Sequence, residues 1–219
     1  MQHYPLHVKV GCTQARIMEY YREMNGRVYV SFSGGKDSLV LLDIVRRLYP
    51  NTLAVFCDTR LEYPELRAFI KTVPNVEWLR PKVTFQEIIT SHGYPVVSKE
   101  LARTLYYARR GSEWALQKMN GNFKDGTRAE RYQRHLKYRY LLDAPFPISG
   151  ACCEEMKIKP FRRFETLSGL HPITGTMAEE SFLRQSNWMK NGCNTLRRRR
   201  AMSSPLSFWT EQDILRYLL

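Results

Sequence analysis

Between residues 27 and 90 the apolar positions follow two rhythms in turn. Short β-branched and aromatic runs at 27–32 (RVYVSF), 51–58 (NTLAVFCD) and 75–80 (NVEWLR) predict strands, the first of them buried. Between them, Leu39 to Leu48 and residues 63–72 change to helical spacing, the second with Pro64 in its first turn. Residues 84–89 open another helix, with Thr84 and Glu87 spaced as a capping box. Ala15 to Met24 predicts an amphipathic helix upstream. Farther along, 171–175 (HPITG) predicts a later strand and residues near 178–189 a helix. Residues 210–219 form a last amphipathic helix capped by Thr210, with Ile214, Leu215, Leu218 and Leu219 apolar. Strands alternating with helices imply an α/β fold: an open, mostly parallel sheet with helices on both faces. Ligands of such sheets bind beyond the carboxyl ends of the strands, where residues 33–38 and Asp58 fall.

Residues 99–142 break this alternation. They read as basic helices interrupted near 120–126, with eleven Lys or Arg against four Asp or Glu. Seven aromatics are interleaved: Tyr106, Tyr107, Trp114, Phe123, Tyr132, Tyr138 and Tyr140. Two readings stand side by side. Either these are solvated helix faces whose aromatics turn to a core, or the segment grips a nucleic-acid backbone. The expected organisation is one domain over residues 1–219 with a basic helical insertion at about 99–142.

Composition narrows the classes of function. The 219-residue chain has a net charge of +13, which calls for a polyanionic partner, either nucleic acid or phosphate-rich small molecules. No stretch approaches the roughly 18 to 20 apolar residues of a membrane span, and residues 1–12 carry no basic-then-apolar leader. Five cysteines in no regular framework argue against a secreted disulfide scaffold. A cytoplasmic protein is the expectation. Arg197 to Arg200 form a second basic cluster, suited to a phosphate or to an exposed loop.

The strongest chemical signal is VSFSGGKDSLVLL at 30–42. A strand, a glycine turn and a helix starting near Ser38 aim backbone N–H groups and the positive end of a helix dipole at one point, which suits an anion. Gly34 and Gly35 permit the tight turn, Ser33 and Ser38 offer hydroxyls, and Lys36 adds positive charge. The spacing is not that of the nucleoside-triphosphate P-loop, because position 30 is Val and Lys36 precedes Asp37. A carboxylate in a phosphate cradle makes sense mainly when Mg²⁺ bridges it to phosphate oxygens.

SGGKDS at 33–38 resembles the PP-loop of the adenine-nucleotide α-hydrolase superfamily, related to Rossmann folds. CDTRLEYPEL at 57–66 is similar to the Asp-Thr-Gly and Pro-Glu pattern of its phosphoadenosine phosphosulfate (PAPS) reductase branch, with Asp58, Thr59, Pro64 and Glu65 matching and Arg60 where glycine is usual. CCEEMKIKP at 152–160 resembles the segment of its iron–sulfur members. GTMAEESFLR at 175–184 keeps Gly175, Ser181 and Arg184, with Met177 where an arginine is usual. PLSFWTEQDILRYL at 205–218 is similar to the branch's closing signature.

The resemblance implies an adenine nucleotide, ATP with Mg²⁺ or PAPS or its relative adenosine 5′-phosphosulfate (APS). The implied nucleotide-binding residues are Ser31, Ser33, Gly34, Gly35, Lys36, Asp37, Ser38, Asp58, Thr59, Gly175 and Arg184, with Lys36, Asp37 and Arg184 as the catalytic set. Asp37 would support the metal, Arg184 would clamp a phosphate, and Asp58 would contact the ribose or the metal. The resemblance further implies iron–sulfur ligation, a [4Fe-4S] cluster, at Cys152 and Cys153. Sulfonucleotide reductases usually replace the lysine and aspartate of the loop, and carry a Glu-Cys-Gly-Ile/Leu-His tail and a second Cys-x-x-Cys pair that would fall after residue 219. SGGKDS is thus closer to the ATP-using members.

From the residues alone, Cys152 and Cys153 remain either metal ligands or buried or free thiols, Cys57 reads as a core residue, and the five histidines are scattered. Three functions follow: cleavage of ATP between its α- and β-phosphates to adenylylate a substrate, reduction of a sulfonucleotide, or a nucleic-acid-binding role in thiolation or its regulation.

Overall fold

A computed structural model describes residues 1–196 and 200–219, so of the four-arginine cluster only Arg200 lies among the described residues. The chain divides into two compact units, Met1–Leu79 with Phe161–Leu219, and Arg80–Pro160.

The first unit is built on a mostly parallel sheet. Its elements in chain order are α1 (Leu6–Glu23), β1 (Val28–Ser31), α2 (Lys36–Leu48), β2 (Leu53–Cys57), α3 (Pro64–Thr72) and β3 (Val76–Leu79). After the second unit, the sheet resumes with β4 (His171–Thr174), which follows an α-helix at Lys159–Ser168, and with the two-residue strands β5 (Asn194–Thr195) and β6 (Met202–Ser203). The spatial order is β3-β2-β1-β4-β6-β5, all parallel except the β5 edge. Register pairs Val28 with His171 and Tyr29 with Leu53. β1 alternates its side chains as a strand must. Val28 and Val30 join Ile17, Val40, Ile44 and Trp209 in the main core, while Tyr29 faces the other way onto Phe161 and Phe164. Helices therefore cover both faces.

Chain order runs away from β1 to β2 and β3 on one side and returns to β4 on the other. The crevice of an open α/β sheet lies at such a reversal, and the loop after β1 sits in it.

Two predicted boundaries move. α1 starts at Leu6 rather than Ala15, because its buried stripe is Lys9, Thr13, Ile17 and Tyr20, half of it polar. The helix expected near 178–189 is split: a 3₁₀ turn at Ala178–Glu180 is followed by extended Ser181, whose hydroxyl accepts from the Arg184 amide and caps a helix at Phe182–Asn191. The last helix, Glu211–Leu218, has Thr210 as its cap, as expected, with Asp213 completing a capping box.

The second unit is helical. It holds α4 (Phe85–His92), α5 (Lys99–Ala108), α6 (Glu113–Met119) and α7 (Gln133–Leu136), with short turns at Glu130–Tyr132, Arg139–Asp143 and Glu154–Ile158. With these named, the helix at Lys159–Ser168 is α8, that at Phe182–Asn191 is α9, and the last is α10. Thr84 and Glu87 form the expected capping box on α4. Leu101, Ala102, Leu105, Ala115, Met119 and Ile148 make a core of this unit's own.

Candidate functional site

The loop after β1 is fixed by its own small residues. Gly34 has φ +76°, and a Cβ there would lie 2.7 Å from Leu66 Cδ1 and 2.8 Å from Ile70 Cδ1, so α3 packs where any side chain would go. The Ser38 hydroxyl donates to the Gly35 carbonyl (2.9 Å) and accepts from the Ser33 amide (3.2 Å), while the Gly35 amide donates to Ser33 Oγ (3.3 Å). Ser38 is 5% exposed. Its hydroxyl braces the turn from within. Gly35 is the N-cap of α2, so the helix begins with Lys36 and Asp37, two residues earlier than the pattern suggested.

Both charged side chains reach solvent. Lys36 Nζ lies 3.1 Å from Glu211 Oε1 and 3.5 Å from Asp37 Oδ1. The hydrogen bond to Glu211, then the charge of Asp37, hold the Lys36 ammonium above its ordinary value. Asp37 Oδ1 has that ion pair but no hydrogen-bond partner. A carboxylate oxygen left without a hydrogen bond beside a glycine turn and a helix amino end fits a Mg²⁺–phosphate site, since Mg²⁺ takes one or two carboxylates plus phosphate oxygens.

Glu211 was not among the residues expected from sequence. It sits at the start of α10, and its own amide donates to Glu179 (3.1 Å). Its carboxylate competes for Lys36 with any anion in the loop. Glu211→Gln is therefore expected to tighten binding of inorganic pyrophosphate about two- to fivefold, the scale of an exposed ion pair. Calorimetry reads this directly, and weaker binding in the variant would mean that Glu211 positions Lys36 instead of competing for it.

Other expected residues gather at the same sheet edge. Gly175 follows β4, and a Cβ there would approach the Asp37 carbonyl to 3.1 Å, so this glycine brings the two loops together. Beyond it, Thr174 Oγ1 lies 2.8 Å from Ser204 Oγ and Thr176 Oγ1 3.0 Å, a hydroxyl cluster that no motif announced. A cavity of about 270 Å³ opens there between Thr176, Arg184, Asn187, Trp188 and Ser204. Arg184, half exposed on α9, is ion-paired to Glu180. Ser31 closes β1.

Asp58 and Thr59 follow β2, yet both are occupied. Asp58 is 1% exposed; its Oδ2 accepts from Arg67 (2.9 Å) and its Oδ1 from the Arg60 amide (3.1 Å). Thr59 donates through both its amide and its hydroxyl to Glu62 (3.0 and 2.7 Å). They shape the edge of the crevice. Arg60, where the family pattern has glycine, adopts φ +63°, the backbone conformation that glycine would enter without strain.

A cavity of about 860 Å³ lies at the opposite, amino-terminal edge of the sheet, around Arg27, Glu165, His171 and Arg200. There Glu165 is fully engaged: Tyr29 donates to it (2.7 Å) and Arg200 holds both its oxygens. None of the residues expected at the glycine loop lines this space.

Residues 27–94, which contain the loop and the end of β2, match the phosphoadenosine phosphosulfate reductase domain. Over these residues the chain is similar to the PAPS reductase family. It is 26% identical over 199 residues to an adenosine 5′-phosphosulfate reductase of Lysinibacillus sphaericus, covering 90% of this chain and 66% of that protein, so it spans about two thirds of that relative's length. In fold it is similar to the crystal structure of phosphoadenylyl-sulfate reductase from Candida auris in its phosphate complex, with a TM-score of 0.50, 14% identity, and coverage of 94% of this chain and 77% of that one. No helix among the described residues is long and apolar enough to cross a membrane.

The iron–sulfur members of the family set a test for Cys152 and Cys153. Both are half-buried, and burial, then the neighbouring Cys153 thiol, pushes the Cys152 thiol up, with Lys99 opposing. Cys12, Cys57 and Cys193 all belong to the first unit. Among the described residues no group of three His, Cys, Asp or Glu side chains gathers as a metal site. Two adjacent thiols do not make a cluster site by themselves, and no chemical step is assigned to them.

Proposed function

We propose that this chain is a PAPS reductase family member that binds an adenine nucleotide with its phosphates in residues 33–38, and that ATP is cleaved there between the α- and β-phosphates. The observation that supports this best is the placement of Lys36 and Asp37 side by side in the first turn of α2, directly after the glycine turn. A sulfonucleotide presents one phosphate at this point, whereas ATP presents a pyrophosphate that needs a cation and a second charge.

In this reading Gly34 and Gly35 let the backbone approach the leaving pyrophosphate, and Lys36 turns from Glu211 to neutralise it as charge develops. Asp37 would hold Mg²⁺, which when bound supplies charge neutralisation on the phosphate oxygens. The cavity beside Thr176 and Ser204 takes the acceptor, whose oxygen is held in line with the α-phosphorus, and Arg184 leaves Glu180 to clamp a phosphate. The products are an adenylylated acceptor and pyrophosphate.

A second reading, sulfonucleotide reduction, is favoured by the match to an adenosine 5′-phosphosulfate reductase. Calorimetric titration with ATP plus Mg²⁺, with APS and with PAPS separates the two. Tighter binding of Mg²⁺-ATP supports cleavage at the α-phosphate; tighter binding of APS or PAPS replaces it with reduction. In either case Lys36→Ala is expected to weaken nucleotide affinity about 10- to 100-fold, the worth of a hydrogen bond to a charged group. Unchanged affinity would remove residues 33–38 from the site.

A further inference from the structure

In the helical unit most aromatics of residues 99–142 do not turn to its core. That core consists of small and aliphatic side chains, and of the seven aromatics in the segment only Tyr138 packs against it. Tyr107 (38%), Trp114 (39%), Phe123 (39%) and Tyr140 (68%) are exposed. The rings form two runs. Tyr106, Tyr107 and Trp114 follow each other with centroids 5.3 and 5.6 Å apart, and Phe123, Tyr132 and His135 at 5.8 and 5.7 Å.

Each run carries cations. The Arg110 guanidinium lies 3.5 Å over Tyr106, and Arg131 lies over both Phe123 (5.0 Å) and Tyr132 (4.7 Å), with Lys118 4.9 Å from the latter. Most of this charge is uncompensated. Among the described residues, only Lys118 and Arg134 of the segment's eleven cations are ion-paired, both to Glu100. Arg109 is spent on the carbonyls of Ala144 and Phe146. His135 is buried and adds no charge at neutral pH: burial, then Lys118, holds its imidazole below the ordinary value.

Exposed aromatic faces interleaved with unpaired cations match one polymer. A single-stranded nucleic acid offers unstacked bases to the rings and a phosphate row to the cations. A duplex hides its base faces, and a mononucleotide would use one ring and leave the second run idle. We propose that residues 99–142 form a binding surface for single-stranded nucleic acid, with bases stacked on Trp114 and Phe123 and phosphates held by Arg110 and Arg131. This goes beyond the nucleotide reading of residues 33–38 and does not rest on it.

The test is fluorescence anisotropy of the full chain with labelled oligothymidylate and oligouridylate of about 20 nucleotides, longer than the roughly 4–16 that one such platform covers. A DNA duplex of equal length and a polyglutamate competitor complete the set. Single strands should bind at least about tenfold more tightly than the duplex, with affinity falling steeply as KCl is raised. Whether DNA or RNA binds better identifies which strand is used. Trp114→Ala and Phe123→Ala should each weaken binding about 5- to 100-fold with the salt slope unchanged, and Trp114→Phe should restore it. Arg131→Gln should lower the salt slope by about 0.7. All three side chains lie outside the core, and far-UV circular dichroism checks that the variants keep their helices. No binding at low salt, equal binding of duplex and single strand, indifference to Trp114→Ala, or displacement by polyglutamate as readily as by free oligonucleotide would each overturn the assignment.

Discussion

Replacing Lys9 by methionine is expected to destabilise the protein by about 3–5 kcal/mol at neutral pH, the scale of breaking a buried ion pair from one side. Lys9 is 1% exposed in the first turn of α1, and its ammonium donates to Asp213 Oδ2 at 2.5 Å across 204 residues of chain. Asp213 is 5% exposed and also accepts from the Thr210 amide and hydroxyl, both at 2.7 Å. Burial alone would raise the Asp213 carboxyl, but Lys9 and Thr210 outweigh it and hold it below the ordinary carboxylate value. A group depressed in this way contributes its stability above the unfolded value and loses it as pH falls through the folded one. The gap between wild type and Lys9→Met should therefore shrink below about pH 4. Adding Asp213→Leu to Lys9→Met should recover most of the loss, less about 1 kcal/mol for the missing helix cap. Urea unfolding at neutral and acidic pH measures all of this. A loss below about 1 kcal/mol in the single variant would mean that the pair is solvated and that α1 is not locked by it.

Gly93→Ala is expected to be as damaging, through the backbone. Gly93 ends α4 with φ +101° and ψ 178°, a region that essentially only glycine enters. A Cβ there would lie 2.3 Å from the Pro147 carbonyl oxygen and 2.8 Å from the Ile148 nitrogen. Neither neighbour can step aside, because Tyr94 donates to that same carbonyl (2.9 Å) and the Tyr94 carbonyl accepts from Ser149 (3.1 Å). Strain and overpacking together amount to about 3–5 kcal/mol. Since this site belongs to the helical unit, limited proteolysis should cut first within residues 85–150 while β1 to β3 stay protected. A variant with wild-type melting and wild-type cleavage would show that the turn can be rebuilt around a side chain.

Local chemistry made much of this structure readable. β1, β2 and β3 are short runs of large apolar side chains, Thr84 and Thr210 mark helix starts through bonds made within three residues, and Pro64 marks one through its fixed φ. Gly34, Lys36 and Asp37 were legible because a strand, a glycine turn and a helix follow each other without a gap. What escaped depends on partners distant in the chain. Lys9 and Thr13 look like solvent-facing positions until Asp213, Trp209 and Pro205 arrive to hydrogen-bond them, so the pattern alone starts α1 too late. Glu211 appears to be one more charge in a terminal helix until the fold places it on Lys36. Asp58 and Arg67 pair within the site region, which no spacing rule announces. The outward aromatics of the helical unit were ambiguous for a different reason: alanines and leucines already fill its core.

The register of β1 also sets an order of events during synthesis. β1 lies between β2, which follows it within some twenty residues, and β4, whose His171 pairs with Val28. As the chain leaves the ribosome, the edge of β1 that will receive β4 stays open while all of Arg80–Pro160 is made, an uninterrupted stretch with a core of its own. An open strand edge is a template for pairing with other chains. The glycine loop then gains its second wall only when Gly175 emerges, and the ammonium of Lys9 waits for its carboxylate until Asp213 does. Nascent chains halted before residue 170 should accordingly be the ones that chaperones hold.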